Sequence, residues 1–467
     1  MRISLRATLI LLMITTAGVG DVPGEKPELE RVTANTDEID DYILAEMKKR
    51  RIPGLALGVV RNGKLIKASG YGLASMELAI PATPKTSLRL ASITKQFTAA
   101  AIMLLVQERQ LALDDRIVGY LGDVPETWNA ITVKHLLTHT SGFTDRVWYG
   151  AEVDRLSFFS QPPDFAPGER WVYSDINYVL LGVIIEMVTK KSYREYLTEQ
   201  FFVPLGMTAS TAVTIYAPTY RLYNGRLHRA VWPPAEGGVI SNVEDLAKWE
   251  AALFAQKILN KSSLEQMWTP LQLNDGSYYG YGFGWTVKGV GTRRTIGHGG
   301  RLGHYYLRLP EHGLAVIVLS NLPIEDGSSP LTLARGVARR YLPDVWPRLG
   351  SLPVQPDTNP QMTERIREVL AQIMSDGNDS SPLTPEFRAT LHPNRRIYIV
   401  PRWITERDLS FLTFIACEDP HEGEMERLGV RITHICHYKL IHPMEVRYFS
   451  VSFTQGGKIA DLESSTE

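Results

Sequence analysis

Hydrophobic and polar positions before Pro343 predict strands at both ends of this part of the chain and helices between them. The strand-like apolar runs are 54–60, 281–287, 303–309 and 314–319. Asn62-Gly63 follows the first run directly, which predicts a β-hairpin. Residues 92–254 have a mostly helical pattern, and further helices are predicted over 37–51 and 332–341.

This order of elements predicts an α+β fold, in which one antiparallel sheet stands beside a helical subdomain. A cleft forms where the sheet and the subdomain meet, and such clefts are a usual place for a functional site. We place this domain at 21–342.

The pattern changes after Leu342. A proline-rich linker is predicted over 343–360 from Pro343, Pro347, Pro353, Pro356 and Pro360. Residues 361–374 have a helical pattern, and Thr384-Pro385 supplies the start of a second helix. Strand-like runs follow at 396–400, 411–416, 430–435 and 446–453. The sequence therefore predicts a small α+β domain over 361–467.

Residues 1–20 have the composition of a secretory signal peptide. Arg2 and Arg6 precede the apolar run 7–14, and small residues follow as far as Gly20. The run is too short to span a bilayer, which needs about 20 apolar residues, so no stable membrane anchor is expected. A secreted or periplasmic protein is the prediction, and the alternative is a disordered apolar leader.

Composition excludes some classes of partner. The chain has 467 residues, of which 44% are hydrophobic and 22% are charged, as in an ordinary globular protein. Its formal net charge of −1 gives no electrostatic signal for binding nucleic acid. Cys417 and Cys436 are the only 2 cysteines, and they are compatible with either a disulfide or a pair of buried thiols.

Ser92 and Lys95 open a strongly apolar helical stretch that continues to Leu105. Residues at positions i and i+3 share a helix face, so the hydroxyl and the amine lie side by side. The start of a helix also has backbone N–H groups without intrahelical partners, and these stabilise negative charge. Ser92 is therefore a candidate nucleophile with Lys95 as its proton partner. The alternative is an N-cap serine beside a lysine that extends to solvent.

Tyr173 lies between the turn at Pro167-Gly168 and the apolar helical run 179–188. A side chain at such a junction is placed to reach a cleft. A phenol near a lysine ammonium is biased towards phenolate, and Tyr173 is then suited to relay protons. The alternative is an aromatic side chain that only packs.

The segment 297–303 is rich in glycine, which lets a backbone approach a ligand closely. One N–H group from this edge is suited to be an oxyanion donor opposite the N–H group of Ser92. His298 adds a side chain that titrates near neutrality. The alternative is a glycine-rich hairpin bulge.

Three short motifs stand in one order along the chain: Ser92-x-x-Lys95, Tyr173-Ser174-Asp175 and His298-Gly299-Gly300. Together they resemble the serine β-lactamase and penicillin-binding-protein superfamily, in particular class C β-lactamases, D-alanyl-D-alanine carboxypeptidases and related esterases. Segments 111–117 and 131–142 are also similar to that branch. The resemblance covers roughly residues 37–341.

This resemblance implies a β-lactamase/transpeptidase-like fold, with an antiparallel sheet flanked by helices beside an all-helical subdomain. It implies that Ser92 is the acylated nucleophile, Lys95 its proton partner and Tyr173 the general base and acid. The N–H groups of Ser92 and Arg301 would form the oxyanion hole. The residues implied to contact the oxyanion or the substrate are Arg301, Asp175, His298, Gly299 and Gly300. No cofactor is implied.

Two positions depart from the pattern of the family. Asp175 stands where many relatives have Asn, and His298 stands where many have a Lys that suits a substrate carboxylate. These departures favour esters, amides or D-amino-acid peptides over β-lactams, with a small molecule or a peptide as the substrate. Residues 361–467 resemble the cystatin-like or nuclear-transport-factor-like domains that end some of these hydrolases.

Three other functions remain as alternatives. A true β-lactamase or D-alanyl-D-alanine carboxypeptidase is the first, and a catalytically inactive relative that binds peptidoglycan or a partner is the second. A zinc site is the third, because His135 and His139 are spaced i, i+4. No Glu follows His135 as the zinc protease pattern requires, so our prediction for this site is that it holds no metal.

Overall fold

The computed structural model describes most of the chain from Asp37 onward. The described residues are 37–122, 124–144, 161–213, 219–223, 226–230, 234–276, 278–288, 294–323, 330–343, 349–375, 382–389, 391, 399–400, 404–419, 426–427, 430–442 and 446–466. The predicted signal peptide over 1–20 lies outside these residues, as does most of the predicted strand over 396–400. No helix within these ranges is both long enough and apolar enough to cross a membrane.

The strands before Pro343 form one large sheet and three small ones. They are β1 (Gly54–Arg61), β2 (Lys64–Ser75), β3 (Ile80–Pro81), β4 (Leu88–Arg89), β5 (Thr211–Ala212), β6 (Thr219–Tyr223), β7 (Arg226–Ala230), β8 (Val239–Ser241), β9 (Leu271–Gln272), β10 (Tyr278–Tyr279), β11 (Thr286–Lys288), β12 (Thr295–Gly300), β13 (His304–Leu309) and β14 (Leu314–Ser320). The large sheet has the order β11-β12-β13-β14-β1-β2-β3, and its pairs are antiparallel. Asn62 and Gly63 both have positive φ and connect β1 to β2, as the predicted hairpin requires.

Helices fill the sequence between the two halves of the large sheet and also precede and follow it. They are α1 (Glu38–Arg50), α2 (Lys95–Gln107), α3 (Val118–Leu121), α4 (Val133–Leu137), α5 (Asp175–Thr189), α6 (Tyr193–Leu197), α7 (Val243–Phe254), α8 (Lys261–Met267) and α9 (Pro330–Tyr341). Shorter turns are the 3-10 helices Ala91–Thr94, Glu126–Trp128 and Pro310–His312 and the π-helical turn Thr198–Phe202. The predicted helices over 37–51 and 332–341 are confirmed as α1 and α9.

Helices cover both faces of the large sheet. Its central strands are therefore buried on both faces, and most of their residues are apolar. β1 and β14 pair from Leu55↔Ser320 to Arg61↔Leu314, and nearly all of their residues are buried. Alternate side chains enter different cores, as strand geometry requires. Ala56 belongs to the core that includes α2 and α5, whereas Leu57 belongs to the core that includes α1 and α9. The predicted α+β fold with a helical subdomain is confirmed.

One predicted strand is largely absent. Residues 281–287 were expected to form a strand, but only Thr286–Lys288 pairs in the large sheet. The preceding glycines pack their backbone against neighbouring helices instead. A Cβ atom on Gly284, whose φ is 77°, would lie 2.6 Å from the carbonyl oxygen of Lys95. This close approach holds the segment that precedes β11 against the start of α2.

The C-terminal part has its own apolar core, formed by residues between Ile366 and Leu462. Its elements are the 3-10 helix Leu349–Ser351, α10 (Pro360–Met374), α11 (Pro385–Ala389), α12 (Glu406–Leu409), β15 (Leu412–Glu418), β16 (Glu426–Arg427), β17 (Val430–Arg431), β18 (His434–Ile441), β19 (Val446–Phe453) and β20 (Ile459–Thr466). An antiparallel sheet runs in the order β15-β18-β19-β20. Cys417 and Cys436 are paired across β15 and β18 and form a disulfide, so the first of the two alternatives for the cysteines holds.

Candidate active site

Ser92 lies in the 3-10 helix Ala91–Thr94, and the α-helix begins only at Lys95. Residues i and i+3 are eclipsed in a 3-10 turn, so the predicted pairing of the two side chains is retained. The Lys95 side chain is fully buried, and its Nζ donates to Ser92 Oγ at 3.3 Å. The predicted hydroxyl–amine pair therefore exists, although the helix starts three residues later than the sequence pattern suggests.

Tyr173 contacts the same hydroxyl. It directly precedes Ser174, the N-cap residue of α5, and its Oη donates to Ser92 Oγ at 2.9 Å. Lys95 Nζ lies 4.8 Å from the centre of the Tyr173 ring. The structure thus brings together the three side chains that the sequence placed in separate motifs.

Asp175 forms an ion pair with Lys95. Its Oδ1 accepts from Lys95 Nζ at 2.6 Å, and the carbonyl oxygen of Glu236 accepts from the same nitrogen at 2.9 Å. With Ser92 Oγ, these acceptors use all three protons of the ammonium. The carbonyl of Glu236 had no signal in the sequence, because a backbone acceptor can come from any residue type.

The protonation states of Lys95 and Tyr173 follow from burial and from each other. Burial acts to lower the pKa of Lys95, but the negative charge of Asp175 and the hydrogen bond to Asp175 act to raise it, and the pKa is raised. Burial raises the pKa of Tyr173 to about 12, although Lys95 acts to lower it. The expected bias of Tyr173 towards phenolate is therefore wrong, because burial has the larger effect.

His298 lies on β12 and is buried, with a relative exposure of 5%. Its Nδ1 is 2.8 Å from the carbonyl oxygen of Gly299, and its Nε2 is 3.1 Å from Tyr281 Oη. Burial and the positive charge of Lys95 lower the pKa of His298 to about 4. The expectation that His298 titrates near neutrality is wrong, and the side chain is neutral at neutral pH.

The glycine-rich end of β12 lies against the segment that precedes Ser92. A Cβ atom on Gly300 would be 2.5 Å from the carbonyl oxygen of Leu90, so only glycine permits this contact. Arg301 begins the turn that leads to β13, and its side chain is exposed. The roles of Gly299, Gly300 and Arg301 in binding an oxyanion or a substrate stay predictions.

His139 and Tyr281 are buried next to these side chains, and sequence analysis did not assign either of them to the catalytic site. The His139 ring centre lies 4.4 Å from that of Tyr173, and His139 Nε2 lies 3.3 Å from Tyr281 Oη. His139 has a positive φ of 57°, which is uncommon outside glycine and marks a constrained position. The histidine was visible in the sequence only as one half of a possible zinc pair.

The two histidines of that possible zinc pair have different surroundings. His135 Nδ1 lies 3.1 Å from the backbone nitrogen of Thr132 at the start of α4, whereas His139 contacts Tyr281. Within the described ranges, no group of three or more His, Cys, Asp or Glu residues is arranged to hold a metal ion.

The pKa of Tyr173 leads to a prediction about pH. In the role of general base that the resemblance implies, Tyr173 must be deprotonated, so its reactive fraction grows as the pH rises towards about 12. We expect kcat/KM for a neutral ester to rise about tenfold per pH unit between about pH 6 and about pH 9, without a plateau. Stopped-flow hydrolysis, corrected with Ser92→Ala protein, measures this slope. A plateau near neutrality contradicts the prediction, and Tyr173→Phe is expected to remove the slope.

Comparison with known proteins agrees with this fold. Residues 39–338 match the family described as Beta-lactamase. The chain is 29% identical over 315 residues to Penicillin-binding protein 4* of Bacillus subtilis (strain 168), covering 59% of this chain and 69% of that protein. It is 29% identical over 317 residues to Protein flp of Staphylococcus aureus (strain NCTC 8325 / PS 47), covering 62% of this chain and 63% of flp.

A solved structure shares the fold over more of the chain. The octameric penicillin-binding protein homologue from Pyrococcus abyssi aligns with a TM-score of 0.52 and 23% identity, covering 91% of this chain and 95% of that one. The protein belongs to the Beta-lactamase family, whose members are serine hydrolases. The resemblance to the serine β-lactamase and penicillin-binding-protein superfamily is thereby confirmed.

Proposed function

We propose that the protein is a serine hydrolase that forms a covalent acyl-enzyme on Ser92 and cleaves an ester, an amide or a D-amino-acid peptide bond. The observation that carries this proposal is the double contact on one hydroxyl: Lys95 Nζ at 3.3 Å and Tyr173 Oη at 2.9 Å both reach Ser92 Oγ. A serine hydroxyl that contacts two side chains able to accept or donate a proton is suited to nucleophilic catalysis.

In the proposed mechanism, Ser92 Oγ attacks the carbonyl carbon of the substrate and gives its proton to ionised Tyr173. Lys95 is the cation that lowers the pKa of Tyr173 against the effect of burial, so it favours this ionised form. The N–H groups of Ser92 and Arg301 hold the oxyanion, and Tyr173 then donates the proton to the leaving group. Attack by water on the acyl-enzyme, with the same proton transfers, completes hydrolysis.

Because His298 is neutral, we infer that the preferred substrate has no carboxylate at this position. A lysine at this position would offer a permanent cation to a substrate carboxylate, but His298 is neutral because burial and Lys95 lower its pKa to about 4. β-Lactams and D-alanyl-D-alanine peptides carry a carboxylate, so esters and amides without one are favoured. A true β-lactamase or carboxypeptidase is the second candidate, and the similarity to Penicillin-binding protein 4* is the observation that favours it.

The remaining proposals concern the location of the protein, its binding partners and its need for a cofactor. We propose a secreted or periplasmic location from the composition of residues 1–20. A small-molecule or peptide substrate is the proposed partner, without nucleic acid and without a stable membrane anchor. No cofactor enters the proposed mechanism, because every step is assigned to side chains and backbone groups of this chain.

A fluorophosphonate probe tests the assignment of the nucleophile. We expect one equivalent of label on the peptide that contains Ser92 and none on Ser92→Ala protein, as measured by mass spectrometry. A panel of p-nitrophenyl esters, nitrocefin and D-amino-acid amides then identifies the bond that is cleaved. Folded protein that takes no label and hydrolyses no member of the panel would favour the inactive binding relative, and turnover of nitrocefin at the rate of the esters would favour the β-lactamase.

A further inference from the structure

A chain of hydrogen bonds crosses from the Tyr173 loop to β12 beneath the proposed site. The backbone nitrogen of Ser174 lies 3.3 Å from His139 Nδ1, and His139 Nε2 lies 3.3 Å from Tyr281 Oη. Tyr281 Oη lies 3.1 Å from His298 Nε2, and His298 Nδ1 lies 2.8 Å from the carbonyl oxygen of Gly299. We call this set the His139–Tyr281–His298 chain.

The two ends of the chain fix the direction of every hydrogen bond in it. The backbone N–H of Ser174 can only donate, so His139 Nδ1 accepts and the single proton of a neutral His139 is on Nε2. The carbonyl of Gly299 can only accept, so the single proton of a neutral His298 is on Nδ1 and its Nε2 accepts. Tyr281 therefore accepts from His139 and donates to His298.

This direction decides what His298 can offer a substrate. Its only N–H group is bonded to the adjacent carbonyl of Gly299, and its lone pair is occupied by the Tyr281 hydroxyl. Lys95 disfavours protonation of His298 and Asp175 favours it. His139 also interacts electrostatically with His298, and the pKa of His139 is lowered as well. The imidazole thus has no free ring N–H group and no positive charge at neutral pH.

We propose that Tyr281 is a specificity-determining positioning residue, whose hydroxyl holds His298 in the tautomer that rejects a substrate carboxylate. This inference rests on the proposed function and extends it to a residue that does not touch the reacting atoms. Without the Tyr281 hydroxyl, His298 Nε2 loses its donor, and the bond from Nδ1 to the carbonyl of Gly299 is left as the only hydrogen bond within the described part of the chain that holds the ring. Turning the ring or changing its tautomer then costs one hydrogen bond where it costs two in the wild-type protein, and an N–H group released in this way is the kind of donor that carboxylates bind strongly.

Tyr281→Phe tests the proposal because it removes one oxygen and keeps the ring. The readout is kcat and KM for two nitrophenyl esters that differ only by a carboxylate on the phenol. We expect the ratio of kcat/KM for the carboxylate ester to that for the neutral ester to rise at least about tenfold, mainly through KM. The KM for the neutral ester should stay within about threefold of the wild-type value. Tyr278→Phe, a partly buried tyrosine three residues earlier, is the matched control and should leave the ratio unchanged.

An unchanged ratio in Tyr281→Phe protein overturns the proposal, and so does a ratio that stays raised when His298→Ala is added. If Tyr281→Phe does not fold, nitrogen NMR of histidine-labelled wild-type protein decides the matter. We expect an unprotonated Nε2 on His298 and an unprotonated Nδ1 on His139, with assignments from His298→Gln and His139→Gln. The opposite tautomer on His298 overturns the proposal. Wild-type protein that hydrolyses neither ester contradicts the proposed function instead, so the two failures are distinguishable.

Discussion

Replacing Ser92 by alanine is expected to lower kcat/KM for the best ester substrate by about 10⁴-fold or more. The hydroxyl is the atom that forms the acyl bond, and no other nucleophile is within reach of both Lys95 Nζ and Tyr173 Oη in the described contacts. Losses of this size are typical when a nucleophile that works as part of a unit is removed. Steady-state hydrolysis of a p-nitrophenyl ester measures the effect.

The matched control for this variant is Ser87→Ala. Ser87 is exposed and lies five residues before Ser92, so its loss should leave both stability and turnover unchanged. Equal melting temperatures for the two variants would show that the loss in Ser92→Ala is chemical. Ser92→Ala protein with more than one hundredth of the wild-type rate would exclude Ser92 as the nucleophile.

Replacing Lys95 by methionine is expected to lower kcat/KM by about 10³-fold and to destabilise the fold by about 3 kcal/mol. The catalytic loss arises because Lys95 is the cation that lowers the pKa of Tyr173. The loss of stability arises because the carboxylate of Asp175, whose side chain is only 16% exposed, loses its partner at 2.6 Å. Ester hydrolysis and urea unfolding measure the two effects separately.

Two further variants separate charge from packing at Lys95. Adding Asp175→Asn to Lys95→Met removes the negative charge that Lys95 balanced, so most of the stability should return while activity stays low. Lys191→Met breaks an exposed pair with Glu199 and should change stability by less than about 1 kcal/mol. Lys95→Met protein within tenfold of wild-type activity would contradict the role of Lys95.

The sequence was sufficient to predict that Ser92, Lys95 and Tyr173 lie together, because local geometry limits each of them. A spacing of three residues brings Ser92 to Lys95 in a 3-10 turn as it does in an α-helix. Tyr173 directly precedes the N-cap of α5, and this junction was visible from Pro167-Gly168 and the apolar run that follows. The order of the three motifs along the chain, and their resemblance to one superfamily, then indicated that they belong to one site.

Tyr281 and the carbonyl of Glu236 could not be identified in the same way, since tertiary packing alone places them. The sequence pattern predicts a strand at Tyr281, but the strand begins only at Thr286, and Gly284 in the preceding segment packs on the backbone of Lys95. The pKa values of Tyr173 and His298 were misjudged for a related reason. Both depend chiefly on burial, which becomes known only when the whole fold is known.

The disulfide between Cys417 and Cys436 has a consequence for experiments with proteases. It closes a covalent ring around every peptide bond between the two cysteines. A single cut inside that ring leaves both fragments joined, so the nicked molecule keeps the mass of the intact chain plus one water. Digestion of this region becomes visible on a gel only after the sample has been reduced.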